Sequence, residues 1–319
     1  EANREVIDYF SQFDALPELL KEQDYLSFQT GKWWEGNPVN GGFDYWMTHG
    51  DPSEGGRHGD VGLQIGRDGM DTIYQFIDLA MEEDKPFFLW YAPFLPHSPH
   101  NPPDSLLNKY LPHAPTKAVA AYWACCEWLD ITTGQLMNYI DKKGINENTL
   151  FIYVCDNGWV QDPDRHNRYA EPSKRSPYNT GVRTPVMFAW EGVIEPAMDT
   201  MSIVSSIDIV PTVLEITSIE IPENLYGINV LDKKQLSSRD GVFGEIYAHD
   251  FSTIDSSLVY RLAITNPYKL IVPDMNNKPG EEVELFNIIE DPHETKNLAE
   301  QMPGVTADLK ERIEEFWSD

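Results

Sequence analysis

Cysteine is scarce in this chain of 319 residues. There are three, Cys125 and Cys126 side by side and Cys155 apart, with no Cys-x-x-Cys spacing. That speaks against a disulfide framework and against the common zinc and dithiol motifs, leaving buried free thiols as the reading. Positive charge is scarce as well. Lys and Arg total 24 against 52 Asp and Glu, a net charge of -28, which argues against nucleic acid or an anionic membrane surface as the main partner. A small anionic substrate stays open, because a pocket can be locally basic inside an acidic whole. No apolar run approaches the length of a membrane span. The opening EANREVIDYF reads neither as a signal peptide nor as a domain start. What the chain does have is 41% hydrophobic and 12% aromatic residues, enough for one large core and a smaller domain beside it.

Strands and helices alternate. GMDTIYQFIDLAMEED places Ile73, Phe76, Ile77, Ala80 and Met81 at helical spacing, and FFLWYA follows as a short apolar strand. A long segment from Lys117 keeps Val119, Tyr122, Cys126, Leu129, Leu136, Tyr139 and Ile140 near one face, ends at Gly144, and leads into the strand LFIYV. TPVMFAW is another apolar strand, and SSIDIVPTVLEI a helix with Asp208 and Pro211 near its start. Continuously apolar strands between helices predict an α/β fold, a mostly parallel central sheet with helices on both faces. Ligands in such folds sit at the carboxyl ends of strands.

Four segments carry chemistry at such places, each with a bland alternative. Asp156 and Asn157 end the strand LFIYV and offer two hard oxygens to a cation, with Gly158 allowing a sharp turn. Asp-Asn-Gly is also plain turn chemistry. FFLWYAPFLPHSPHNPP holds His97 and His100 among prolines at 93, 96, 99, 102 and 103, a stiff frame for an imidazole that handles protons or binds an anion. It could equally be a proline-rich surface loop. SKRSPYNTGVRTP gathers Lys174, Arg175 and Arg183 in an acidic chain, either a basic pocket or a solvated loop. FQTGKWWEGNPVNGGFDYW offers Lys32 after a glycine, with Trp33 and Trp34 suited to stacking on sugar rings or to capping a core.

Together these segments resemble the sulfatase family of the alkaline phosphatase superfamily. LPELLKEQDYLSFQTGKW is similar to the family's helix, strand and Gly-Lys-Trp motif, PHSP to its Pro-His-x-Pro, and DNG to its metal-binding Asp-Asn-Gly. KRSPYNTGVRTP is similar to its Lys, Tyr, Gly-x-Arg-x-Pro signature, and VELFNIIEDPHETKNLA to its carboxyl-terminal phrase. The five motifs stand in the family's order over nearly the whole chain. The resemblance implies that Asp156 and Asn157 are calcium ligands and that Lys32 and Lys174 contact sulfate oxygens. It implies that Lys32 and His97 support proton handling around the nucleophile and the leaving oxygen. Arg183 is implied to brace its loop, and with His100, Trp33, Trp34 and His166 it is a candidate for the substrate rim. The implied partner is an anionic small-molecule or glycan sulfate ester, with no nucleic acid and no membrane span, and the implied location is periplasmic or extracellular.

Two departures stand out. Trp34 replaces the family's usual His after Gly-Lys-Trp, and His58 in GGRHGD is the candidate replacement. No Cys-x-Pro-x-Arg, Ser-x-Pro-x-Arg or Asp-Asp pair occurs, although in the family these supply the formylglycine nucleophile and complete the calcium site. Both normally precede the segment at which this chain begins. The expectation is therefore that residue 1 falls after the nucleophile helix and that the chain alone is inactive; a degenerate relative is the alternative. A phosphodiesterase or phosphonate hydrolase of the same superfamily and a non-catalytic glycan-binding relative are the rival functions. Residues 1–235 are expected to form the α/β domain, and 236–319 a smaller antiparallel sheet closed by a helix carrying Leu309, Ile313 and Phe316.

Overall fold

The computed structural model describes residues 10, 12–34, 36–50, 60–249 and 252–318. Helix α1 (Leu16–Leu20) leads into β1 (Leu26–Gly31), which lies between β2 (Tyr45–Trp46) and β3 (Phe87–Ala92), all three parallel. Every residue of β1 is buried, as a central parallel strand covered on both faces must be. Leu26 stands opposite Phe87 and Gly31 opposite Ala92. The two strands therefore end level, and the segments that leave them, carrying Lys32 and His97, start side by side.

Helix α2 (Asp71–Glu82) buries Ile73, Phe76, Ile77 and Ala80 and leaves Met81 exposed, so the apolar stripe is narrower than its spacing predicts. Its buried face packs with Leu26 and Phe28 of β1 and with Leu136 and Ile140. Those last two belong to α4 (Lys117–Lys143), which follows the short α3 (Asp104–Tyr110). Thr116 caps α4, its hydroxyl accepting from the Val119 N–H at 3.4 Å, and Gly144 ends it at φ +70°. A left-handed residue there closes the last turn without Cβ strain.

Strands β4 (Phe151–Val154) and β5 (Val186–Ala189) pair antiparallel, Val154 opposite Val186, and among the described residues they join no ladder with β1–β3. A parallel neighbour needs a crossover running the full length of the strand. Residues 155–185 instead return to the end they left, carrying only the four-residue α5 (Asn179–Val182). The consequence is that Asp156, Lys174 and α5 all gather at the carboxyl end of β4.

After α6 (Ile209–Ile216) and α7 (Lys233–Ser238) comes an antiparallel sheet in the order β6 (Val242–Tyr247), β7 (Leu258–Ile264), β8 (Tyr268–Pro273), β9 (Glu284–Asn287). Helix α8 (Pro303–Phe316) lays Leu309 and Ile313 on Ala263, Leu270 and Leu285, and stacks Phe316 on Phe243 at 4.8 Å. The architecture is thus mixed α/β with a parallel sheet and a separate antiparallel sheet. Arg239, just past α7, forms a buried two-pronged pair with Asp208 at 2.5 and 2.6 Å. Asp208 also accepts from the Ser205 and Ile228 N–H groups, so one carboxylate fixes the start of α6 and the chain that returns past it.

Candidate active site

Lys32 leaves β1 at a place only glycine can precede. Gly31 has φ +80°, and a Cβ on it would lie 1.8 Å from the Ala92 carbonyl oxygen. This close approach lets the Lys32 N–H donate to Ala92 O at 2.7 Å, while the Trp90 indole N–H donates to Lys32 O at 3.1 Å. With both backbone groups held, the ammonium is placed 3.2 Å from Asp156 Oδ2 and 5.7 Å from the centre of the Phe94 ring.

Phe94 joins this lysine to the histidine, because it also stacks on His97 at 4.3 Å. His97 Nδ1 lies 2.8 Å from the Ser98 carbonyl oxygen, so Nδ1 carries the proton and Nε2 is left to face a ligand. Burial lowers the His97 pKa, and the Lys32 and Lys174 charges lower it further against the opposing pull of Ser98 O and Asp156. At rest the ring is neutral; once charged it is a stronger acid than an ordinary imidazolium.

At the end of β4 the glycine again has a steric reason. Gly158 N donates to Gly181 O at 2.8 Å, and a Cβ on Gly158 would come within 2.1 Å of Thr180 O. Asp156 is thereby turned toward Lys32. Burial raises its pKa, but Lys32 and Lys174 outweigh that and hold the carboxyl below its usual value. Lys174 is pushed down by burial and by the charges of Lys32 and Arg175, with Asp156 opposing, and its ammonium lies 5.9 Å over the Trp159 ring. The two lysines, the histidine and the aspartate predicted from separate segments thus share one electrostatic neighbourhood.

Asp156 and Asn157 fit calcium in kind, since both are hard oxygen donors. Calcium takes about six to eight oxygens, and among the described residues no group of three His, Cys, Asp or Glu side chains converges. Two side chains are too few to hold the ion alone, and Asp156 here turns to Lys32 instead.

The expected rim divides. Trp33 is a correction: it is 9% exposed, packs edge-on against Phe10, Phe43 and Trp90, and lies where a Cβ on Gly41 would touch its ring. It caps a core and does not face a sugar. Trp33→Ala is accordingly expected to cost about 3–5 kcal/mol in urea unfolding, with no change in KM for the molecules that remain folded. Trp34 is half-buried. His100 is a correction too, as a rim residue: it is 2% exposed and sits beneath the surface, ringed by Tyr122, Trp159 and His166 at 5.3 to 6.0 Å. Burial, then the charges of His166, His97 and Arg67, push its pKa down to about 4. His166 is exposed, beside a hollow of about 480 Å³ between the start of α4 and residues 163–166. Arg183 is exposed and makes no side-chain bond to another described residue. His58 lies outside the described residues.

Residues 6–219 match the Sulfatase family, and residues 168–319 match the family described as N-sulphoglucosamine sulphohydrolase, C-terminal. The chain belongs to the sulfatase family. It is 30% identical over 296 residues to a sulfatase of Formosa agariphila, covering 84% of this chain and 50% of that protein. It is 27% identical over 348 residues to the uncharacterized sulfatase YdeN of Escherichia coli, covering 94% of this chain and 61% of that one. The chain therefore spans 50 to 61% of the length of these relatives. Its fold is similar to that of BT4656, solved in complex with its substrate D-glucosamine-2-N,6-O-disulfate, with TM-score 0.69 and 18% identity over 94% of this chain and 81% of that one.

Within this sulfatase chain the carboxyl-terminal phrase works from behind the site. Glu294 of DPHET accepts from the Asn179 N–H at 2.5 Å and from the Lys269 ammonium at 2.6 Å, and Asn179 Nδ2 donates to Pro292 O at 3.1 Å. Asn179 opens α5, whose Gly181 is pressed against Ser173 O and Ser176 O. The loop bearing Lys174 is thus seated on the carboxyl-terminal sheet. Sequence reasoning named neither Glu294 nor Lys269 in this role; the motif phrase was visible, its partner was not.

Proposed function

We propose that the chain carries the sulfate-gripping part of a sulfuric ester hydrolase that cleaves sulfate from a sulfated carbohydrate or an aryl sulfate. The observation that supports this reading is the meeting of Lys32, His97 and Lys174 around Asp156 in a protein of net charge -28. Two ammonium groups gathered at one strand-end site in so acidic a chain are kept for an anion. Lys32 and Lys174 hold the sulfate oxygens and stabilise the negative charge that grows as the ester bond breaks. His97, when protonated at Nε2, gives that proton to the departing ester oxygen as the S–O bond breaks. Asp156 and Asn157 would contribute two of the oxygens that hold a calcium ion, which would supply positive charge to the anionic substrate. The nucleophile is a formylglycine made from a Cys or Ser outside these 319 residues.

His166 and the hollow beside it supply the sugar side. The sulfated sugar bound by BT4656 is in keeping with a glycan substrate. Residues 1–235 act as the catalytic α/β domain and 236–319 as the subdomain that seats the Lys174 loop. Among the described residues no helix is long and apolar enough to cross a membrane, and a sulfated-glycan substrate is in keeping with a periplasmic or extracellular protein.

The full-length protein tests this directly. It is expected to turn over an aryl sulfate faster than the matching aryl phosphate. The reverse preference would move the reading to a phosphodiesterase or phosphonate hydrolase, and glycan binding without turnover of either to a non-catalytic relative. His97→Ala is expected to cost about 10²–10⁴ in kcat for poor leaving groups and less for activated aryl sulfates, because a proton matters most to a basic departing oxygen.

A further inference from the structure

The segment from Pro93 to Pro103 that carries His97 poses a hydrogen-bonding problem. Five of its residues are proline, so it has few N–H groups, and it forms no strand or helix that could satisfy its carbonyls. Phe94 is buried and His97 half-buried, so water is a poor substitute at this depth. Three of the carbonyls are met by one side chain from elsewhere. Arg67 donates from Nε and Nη2 to Phe94 O at 3.2 and 3.1 Å, from Nη2 to His97 O at 3.3 Å and to Pro99 O at 3.1 Å, and from Nη1 to Asn101 Oδ1 at 2.6 Å. Its guanidinium also lies 5.2 Å from the centre of the Trp128 ring.

We propose that Arg67 is a positioning residue for His97: its planar fork holds the loop in the one path that delivers the imidazole to Lys32 and Lys174. The residue type follows from the task. Three carbonyls and an amide oxygen spread along the loop need several donors in a fixed plane, which guanidinium has and the compact ammonium of lysine lacks. The site of attachment is fixed as well. Gly66 has φ +81°, and a Cβ there would stand 2.6 Å from the Tyr91 hydroxyl, which is itself anchored to Thr132 of α4. Arg67 thus reaches the loop from a turn just before α2 that is packed against Tyr91 of β3 and Thr132 of α4, and Trp128 of α4 backs its flat face. Phe94, held by two of the bonds, is the residue stacked on His97 and facing Lys32, so a slip of the loop would displace histidine and lysine together.

The catalytic part of this inference rests on the proton-handling role proposed for His97, and its test separates the two. In the full-length protein Arg67→Lys keeps the charge and the stem while removing the fork. It is expected to lower kcat toward an aryl sulfate with a poor leaving group by about 10- to 100-fold, with KM changed far less. Combined with His97→Ala it is expected to add little, since a loop that no longer presents an imidazole has nothing left to misplace. Additive losses in the double variant, or a loss confined to KM, would overturn the proposal. Should His97→Ala itself prove silent, the proton-handling role fails and amide hydrogen exchange decides on Arg67 alone. Exchange at His100 and Asn101, whose N–H groups donate to Asn167 Oδ1 and Pro99 O, at least about tenfold faster in Arg67→Lys, from loss of local protection, upholds the clamp; unchanged exchange there overturns it.

Discussion

Lys32→Met in the full-length protein is expected to lower kcat/KM for sulfate esters by about 10²–10³-fold, the scale of removing one preorganised charge from a developing anion. Methionine keeps the length of the stem and takes away only the ammonium. The loss is expected in catalysis and not in folding. The Lys32–Asp156 pair is 3.2 Å apart, but the Asp156 side chain is 64% exposed, and an ion pair open to water on one side contributes about 0–1 kcal/mol. Urea unfolding of Lys32→Met should therefore superimpose closely on wild type while turnover collapses. A loss of less than about fivefold would take Lys32 out of the sulfate site, because a group that touches the anion is worth more than that.

A stability effect as large as that of Trp33→Ala is expected at the other end of the chain. Lys269 and Glu294 are 2.6 Å apart with side chains 0% and 2% exposed. Lys269→Met leaves a carboxylate buried without its cation, which costs about 3–5 kcal/mol. Lys269→Met combined with Glu294→Gln is expected to recover most of that. No charge then remains to be buried, and the glutamine oxygen can still accept from Asn179 N–H. Urea titrations of the three proteins measure both effects. A single-variant cost under about 1 kcal/mol, the range of exposed pairs, would mean that water reaches Glu294. Because Asn179 opens the helix that braces the Lys174 loop, Lys269→Met is also expected to weaken activity more than its distance from the sulfate suggests.

Much of the site was legible because its chemistry is local. Lys32 after Gly31, His97 among prolines and Asp156-Asn157-Gly158 each announce themselves by residue type, and strand ends in an α/β pattern say where they gather. Gly144 ended its helix where the pattern placed it, since a left-handed cap depends on one residue. The tryptophans after Lys32 show the limit. An aromatic ring suits sugar and core alike, and Trp33 was assigned to the core by Phe43, Trp90 and Gly41, which the fold brings to it. His100 went the same way, nominated by its neighbours in sequence and buried by Tyr122 and Trp159.

By itself the sequence determined the α/β class, the acidic surface with a basic locus in it, and the identity of the side chains that meet at the strand ends. These follow from periodicity, charge and short motifs, which are properties of adjacent residues. Only the tertiary structure decided that β4 and β5 pair with each other, that Glu294 is buried against Lys269 behind the Lys174 loop, and that Arg67 clamps the loop of His97. The partners in these cases are backbone carbonyls, amides or charges 25 to 115 residues away. A backbone carbonyl carries no residue type to read, and a buried charge finds its counterion only when the chain has closed around both.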